Sequence, residues 1–236
     1  ARRTSGFRDQ ILGIVGHDLR NPLGAIVMSA ALLQNRGQLE GWQLKTVGRI
    51  RSSAARMERI ISDLLSYTRT RLGTGIPIEK RPADIGDLAR KVVDELVAYH
   101  PESPIHVAAE GDLRGEWDPT RLEQALSNLV ANAVDHGDPD GRVEVALRGE
   151  EDAVHVEVAN RGEMPPIVIE HAFEAFRRGP EWGGRKSTGL GLGLFIAREI
   201  VRGHGGDIAL RSRDGETAVA LTLPRRGAPE AAPAQP

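Results

Sequence analysis

The feature that most restricts the fold is a change of hydrophobic period near Gly75. Up to that point apolar residues recur at spacings of three and four: Ile11, Val15, Leu19, Leu23 and Ile26, then Val47, Ile50, Ala54, Met57, Ile61, Leu64 and Leu65. That is the period of an amphipathic helix. The two runs are separated by "QNRGQLEG", a polar stretch with Gly37 and Gly41 that suits a helix–helix connection. Residues 1–74 therefore read as an antiparallel helical hairpin with one proline, Pro22, inside its first helix. A hairpin of this size encloses no core. Its stripe is expected to meet a second copy in a dimeric four-helix bundle, or else its own C-terminal half.

From Gly75 onward the period shifts toward two. "IPIEKRPADI" and "IHVAAEG" read as strands with a helix, "GDLARKVVDELVAYH", between them. Asp118-Pro119 opens the next helix, supplying an N-cap and a proline at the first helical position. "RVEVALRG" and "AVHVEVAN" alternate as a half-buried pair, and "DIALRS" and "TAVALTL" form a hairpin across "RDGE". The expected class is α+β. After the hairpin, residues 75–224 form an α/β sandwich with a mixed sheet and helices on one face. Hairpin-length turns between the later strands exclude a doubly wound parallel sheet. Residues 225–236, rich in Pro and Ala, read as a disordered tail.

Charge and composition narrow the function. A formal net charge of −2 offers no polycationic surface, so nucleic acid is not expected as a partner. There are no cysteines, which removes disulfides, zinc–thiolate sites and a cysteine nucleophile. Apolar runs such as "AIVM" and "AALL" fall far below the ~18 residues of a membrane span. A cytoplasmic location is expected, as is an excised piece of something longer, since the chain starts at Ala1.

Three constellations carry possible chemistry. In "GHDLRNPL", His17 lies about 200° round the helix from Val15 and Leu19, away from the apolar stripe. Asp18 can accept its Nδ1 proton and leave Nε2 free to attack, while Asn21 shares its face. Taken alone, an incidental surface histidine fits as well. In "NLVANAVDHG", Asn128 and Asn132 share one face, with Leu126, Leu129, Val130 and Ala133 on the buried side. Two amide oxygens can ligate a hard cation such as phosphate-bound Mg²⁺, although a pair of polar surface residues fits equally. In "STGLGLGLFIAREI", Gly189, Gly191 and Gly193 enter a helix whose N-terminus favours phosphate. The stretch between, "NRGEMPPIVIEHAFEAFRRGPEWGGRKST", reads as a lid over an anionic ligand, anchored by Phe173 and Phe176.

The order of these pieces resembles the catalytic core of the sensor histidine kinases from about Phe7 to Leu223. "HDLRNPL" is similar to the family's H box, "NLVAN" to its N box, "NRG" to its first glycine box, "FEAF" to its F box and "GLGLGL" to its second glycine box. The resemblance implies a dimerisation and phosphotransfer hairpin over 1–74 and a Bergerat-type ATP-binding domain over 75–224. It implies ATP and Mg²⁺ as cofactors, with Asn128 and Asn132 as the metal-associated amides. By the same resemblance His17 is the phosphoacceptor, Asp18 its activating base, and Asn21 a residue linked to dephosphorylating the partner. The nucleotide would meet Asn128, Asn132, Asp135, His136, Asn160, Gly162, Arg178, Lys186, Thr188, Gly189, Leu190, Gly191 and Gly193. The partners implied are a second copy of the chain, the receiver domain of a response regulator, and an upstream sensor domain not in this chain.

The sequence departs from the family's pattern at three places. Asn160 stands where an aspartate normally accepts from the adenine amino group, and an amide oxygen can accept the same bond without charge. Met164 replaces a glycine, and Asp135 stands where many members carry a lysine. These departures leave a second reading open, a degenerate dimeric phosphotransfer or docking module with weak or no ATP binding.

Overall fold

Helical backbone continues beyond Pro22 as α1, residues 21–34, and α2 follows over Gly41–Arg71. The computed structural model describes residues 19, 21–34, 39–73, 75–99, 104–138, 141–177 and 190–226. The chain divides into two compact units, Ala1–Gly75 and Ile76–Pro236.

In the first unit, the Gln43 side chain accepts from the Glu40 N–H at 2.7 Å and fixes the start of α2. Arg51 of α2 donates to Gln34 of α1 at 2.6 Å. Leu23 and Ala30 of α1 and Val47 and Ala54 of α2 are buried. Much of the apolar stripe is not: Leu19, Ile26, Leu33, Ile50, Met57 and Leu64 are all exposed. The single chain thus buries one narrow apolar seam and leaves other apolar residues of the stripe open.

In the second unit, five strands form one mixed sheet in the order β2–β4–β5–β7–β6. These are β2 Ile105–Glu110, β4 Val143–Gly149, β5 Ala153–Arg161, β6 Asp207–Arg213 and β7 Glu216–Pro224. β2 pairs parallel with β4, and every other neighbour is antiparallel. The β6–β7 turn has positive φ at both Asp214 (56°) and Gly215 (77°), the twist that matches a two-residue hairpin. A separate pair, β1 Arg81–Asp84 and β3 Arg114–Trp117, lies antiparallel. The sequence pattern did not reveal β3: it is four residues long and carries Gly115.

Three long helices belong to this unit: α3 Ile85–Tyr99, α4 Pro119–His136 and α6 Gly193–Gly203. A short α5, Pro166–Glu170, starts at the second proline of the Pro165-Pro166 pair and was also not anticipated. α4 starts where Asp118 accepts from the Arg121 N–H at 3.1 Å, with Pro119 in its first turn. It buries Leu122, Ala125, Leu126, Leu129, Val130, Ala133 and Val134, a helical stripe. Together with Ile196, Ala197, Ile200 and Val201 of α6 and Val145, Leu147, Val156, Leu221 and Leu223 of the sheet, it forms the core. Arg225 belongs to the fold rather than to a disordered tail. Its N–H donates to the Asp152 carbonyl and its own carbonyl accepts from the Glu116 N–H, both at 2.9 Å.

Candidate functional site

α4 and α6 pack against each other, and their contact brings two of the sequence constellations together. Asn128 and Asn132 stand one turn apart on the half-buried side of α4. The Asn128 side-chain nitrogen donates to the carbonyl of Gly193, the first residue of α6, at 3.3 Å. Its amide oxygen remains an acceptor. A Cβ on Gly193 would stand 3.7 Å from both Asn128 Cγ and Asn132 Nδ2, so glycine keeps this face clear of a side chain. Two amides and the positive end of a helix dipole thus share one place, a combination suited to a cation-bound phosphate chain.

The far end of α4 meets the end of β5. Asn160 is 9 % exposed, and a Cβ on Gly137, the residue that ends α4, would lie 3.3 Å from its side-chain nitrogen. That nitrogen donates to the Arg161 carbonyl at 2.8 Å, which leaves Oδ1 as an uncharged acceptor. The following turn is pinned by the β6–β7 hairpin. Gly162 N–H donates to Gly215 O at 2.9 Å, and Thr217 Oγ1 donates to Gly162 O at 2.7 Å. Ser212 Oγ lies 2.8 Å from Thr217 Oγ1 and accepts from the Met164 N–H at 2.7 Å. Asp135 and His136 occupy the last turn of α4, half-buried, between the two clusters.

The F-box segment is braced from within and against α6. Glu174 accepts from His171 at 2.8 Å and from Arg177 at 3.0 Å. These two bonds, the histidine's first, hold its carboxyl below the usual range. The Arg198 guanidinium lies 5.7 Å from the ring centroids of both Phe173 and Phe195, joining that segment to the helix. Phe176 N–H donates to Gly191 O at 2.9 Å. Gly191 has φ +71°, and a Cβ there would come 2.5 Å from the Arg177 carbonyl oxygen, so only glycine fits. Phe176 itself has φ 62°, a left-handed conformation that is uncommon for an aromatic residue.

Asn128, Asn132, Asp135, His136, Asn160, Gly162, Leu190, Gly191 and Gly193 all fall within this second unit as described. Asn21 is exposed on α1 in the first. His17, Asp18, Arg178, Lys186, Thr188 and Gly189 lie outside the described residues. Sequence reasoning missed the supports: Gly137, Arg198, Ser212 and Thr217. Only Gly137 carries a local signal, a glycine directly after a helical period.

Family models match parts of both units. Residues 7–73 match the family model of the His Kinase A (phospho-acceptor) domain. Residues 117–227 match that of the histidine kinase-, DNA gyrase B- and HSP90-like ATPases. The chain carries a histidine kinase catalytic core. This kinase core is 34% identical to a bacteriophytochrome of Pseudomonas aeruginosa over 229 residues, 97% of the chain and 31% of that protein. It is 34% identical to the probable sensor histidine kinase TcrY of Mycobacterium tuberculosis, over 92% of the chain and 46% of that protein. The core thus spans less than half the length of these relatives. Among solved structures, full-length ShkA in complex with AMPPNP matches with a TM-score of 0.64 and 27% identity, over 94% of this chain and 47% of that one. Histidine kinase ThkA in complex with the response regulator TrrA matches with a TM-score of 0.56 and 26% identity, over 94% of this chain and 64% of that one. Among the described residues, no helix of the kinase core is long and apolar enough to cross a membrane.

Proposed function

We propose that this kinase core takes the γ-phosphoryl group of Mg–ATP onto His17 and passes it to an aspartate on the receiver domain of a response regulator. The observation that carries the reading is the convergence of Asn128, Asn132 and the N-terminus of α6 part-way along α4, with Asn160 at the C-terminal end of that helix. The separation suits a nucleotide lying along α4, phosphates toward Gly193 and base toward Asn160. Asn128 and Asn132 would hold Mg²⁺ through their amide oxygens, and the ion would neutralise phosphate charge. Uncharged ligands fit a cation that takes most of its ligands from phosphate and water.

In the transfer, the His17 Nε2–phosphorus bond forms as the bond from the γ-phosphorus to the bridging oxygen breaks, and ADP leaves. Asp18 holds the Nδ1 proton and so keeps Nε2 as the nucleophile. The phosphoryl group then moves to a carboxylate oxygen of the receiver aspartate, regenerating the imidazole. Such chemistry rests on positioning and charge stabilisation, so it needs few reactive side chains. The unit Ala1–Gly75, with its open apolar face, would pair with a second copy to form the four-helix bundle, and Asn21 would serve the reverse, dephosphorylating reaction on the partner. A complex of one relative with a response regulator supports the choice of acceptor.

Incubation with Mg²⁺ and γ-labelled ATP tests the reading. Label that is acid-labile, base-stable and lost in His17→Ala is the expected result. A chain that takes no label and binds no nucleotide would instead be a docking module.

A further inference from the structure

Away from the nucleotide face, α4 and α6 meet a second time around a histidine that has no exposed surface. His204 follows α6, and its Nδ1 donates to the Ile200 carbonyl at 2.8 Å. Nε2 is therefore an acceptor, and it takes the backbone N–H of Asp118, the residue that caps α4, at 2.9 Å. The Asp118 carboxylate faces two ways. One oxygen accepts from Arg121 N–H at 3.1 Å and the other from Glu79 N–H at 3.0 Å. Lys80 Nζ donates to the His204 carbonyl at 3.5 Å. Ile78 covers Gly203, where a Cβ would come 2.9 Å from Ile78 Cγ1. Residues 78–80 are thus fastened to a single joint through three successive positions. They form no helix or strand of their own, and they lie in the stretch that follows the last residue of the first unit.

α6 is pinned to α4 at both of its ends. Asp118 at the start of α4 meets His204 beyond the end of α6, and Asn128 meets Gly193 at the start of α6. The two pins are ten residues apart on α4, or about 15 Å. A shift at one pin therefore changes how the helices cross at the other. We propose that His204 is a positioning residue that fastens the connecting segment 78–80 to α4 and α6, so that the state of this segment sets the spacing of Asn128, Asn132 and Gly193. The proposal rests on the reading that those residues hold Mg–ATP. The groups facing the imidazole are the Asp118 carboxylate and the Lys80 ammonium. Burial is the largest influence on its protonation, and it keeps the ring in the neutral form that the Asp118 N–H requires.

The test uses the whole chain and compares His204→Leu, which removes the acceptor, with His204→Gln, whose side-chain oxygen can still accept. Amide hydrogen exchange without nucleotide is read first. In His204→Leu, exchange should accelerate at Glu79 and also at residues 128–132 and 196–198, and His204→Gln should restore most of the protection. Mg–ADP titration is read second. The dissociation constant should rise about tenfold in His204→Leu, the size of one lost buried hydrogen bond. Glu79→Pro, which deletes the donor to Asp118, should raise it too, and the double variant should cost less than the sum of the two. Faster exchange confined to 118 and 200–204, or additive effects of the two variants, would overturn the proposal. A wild-type chain that binds no Mg–ADP overturns the nucleotide reading alone, since the exchange pattern still decides whether the joint reaches residues 128–132.

Discussion

Asn160 shows how one atom can change the terms on which a base is held. Its side-chain nitrogen is committed to the Arg161 carbonyl, and it packs against Gly137. The carbonyl oxygen is thus aimed by the fold rather than free to swap places with the nitrogen. In the reading above, that oxygen accepts from the adenine amino group without carrying charge. Replacing Asn160 with Leu keeps the bulk and removes both bonds. ATP affinity should fall about threefold to tenfold, the worth of a neutral hydrogen bond, as measured by titration calorimetry. A guanine nucleotide, which presents an acceptor at that position, should bind the wild type more weakly than ATP does. The sequence shows Asn160 as a departure from a pattern, because its neighbours in the strand mark it as the end of β5. It does not show the bond to Arg161 or the approach of Gly137, because these depend on how α4 ends against the sheet.

At the scale of the elements, helical period was enough to place α3, α4 and α6, and alternation was enough for β4 to β7. The elements it missed, β3 and α5, are four and five residues long, too short for a period to repeat. Likewise, Ser212 and Thr217 support the turn after Asn160 from across the sheet, 48 and 55 residues away in the chain from the groups they bind. No local pattern announces such contacts. Period also leaves open what a helical stripe packs against. In α1 and α2 the small residues Ala30 and Ala54 are buried while Ile26, Ile50 and Met57 stay open to solvent. Covering a side chain of that size contributes about 1.5–3 kcal/mol, so the open face is a large incentive to pair. If the proposed pairing uses this face, Ile50→Glu should leave the chain a monomer by light scattering where the parent chain is a dimer. It should leave the proposed nucleotide binding by the second unit in place.

For the whole molecule, acid stability is the property most directly tied to the core. His204 is held neutral by burial, whereas in the unfolded chain it titrates near the ordinary value of about 6.5. Unfolding therefore takes up a proton as pH falls through that value, and the folded state loses stability until the lower folded pKa is passed. Above about 6.5 the residue contributes no slope. The urea midpoint should thus drop between pH 7.5 and 5.5, and the drop should be smaller in His204→Gln, where the titrating group is gone. The order of the strands has a consequence for how the molecule is made. β7, the last element among the described residues, lies between β5 and β6, and Trp117 donates to its final residue, Pro224. The sheet cannot close until that strand has left the ribosome, at a pace of about 5–20 residues per second. The two helices of the first unit emerge more than a hundred residues earlier. During synthesis, then, the helical hairpin can fold, and in the proposed dimer find its sister chain, while the unit proposed to hold the nucleotide is still unfinished.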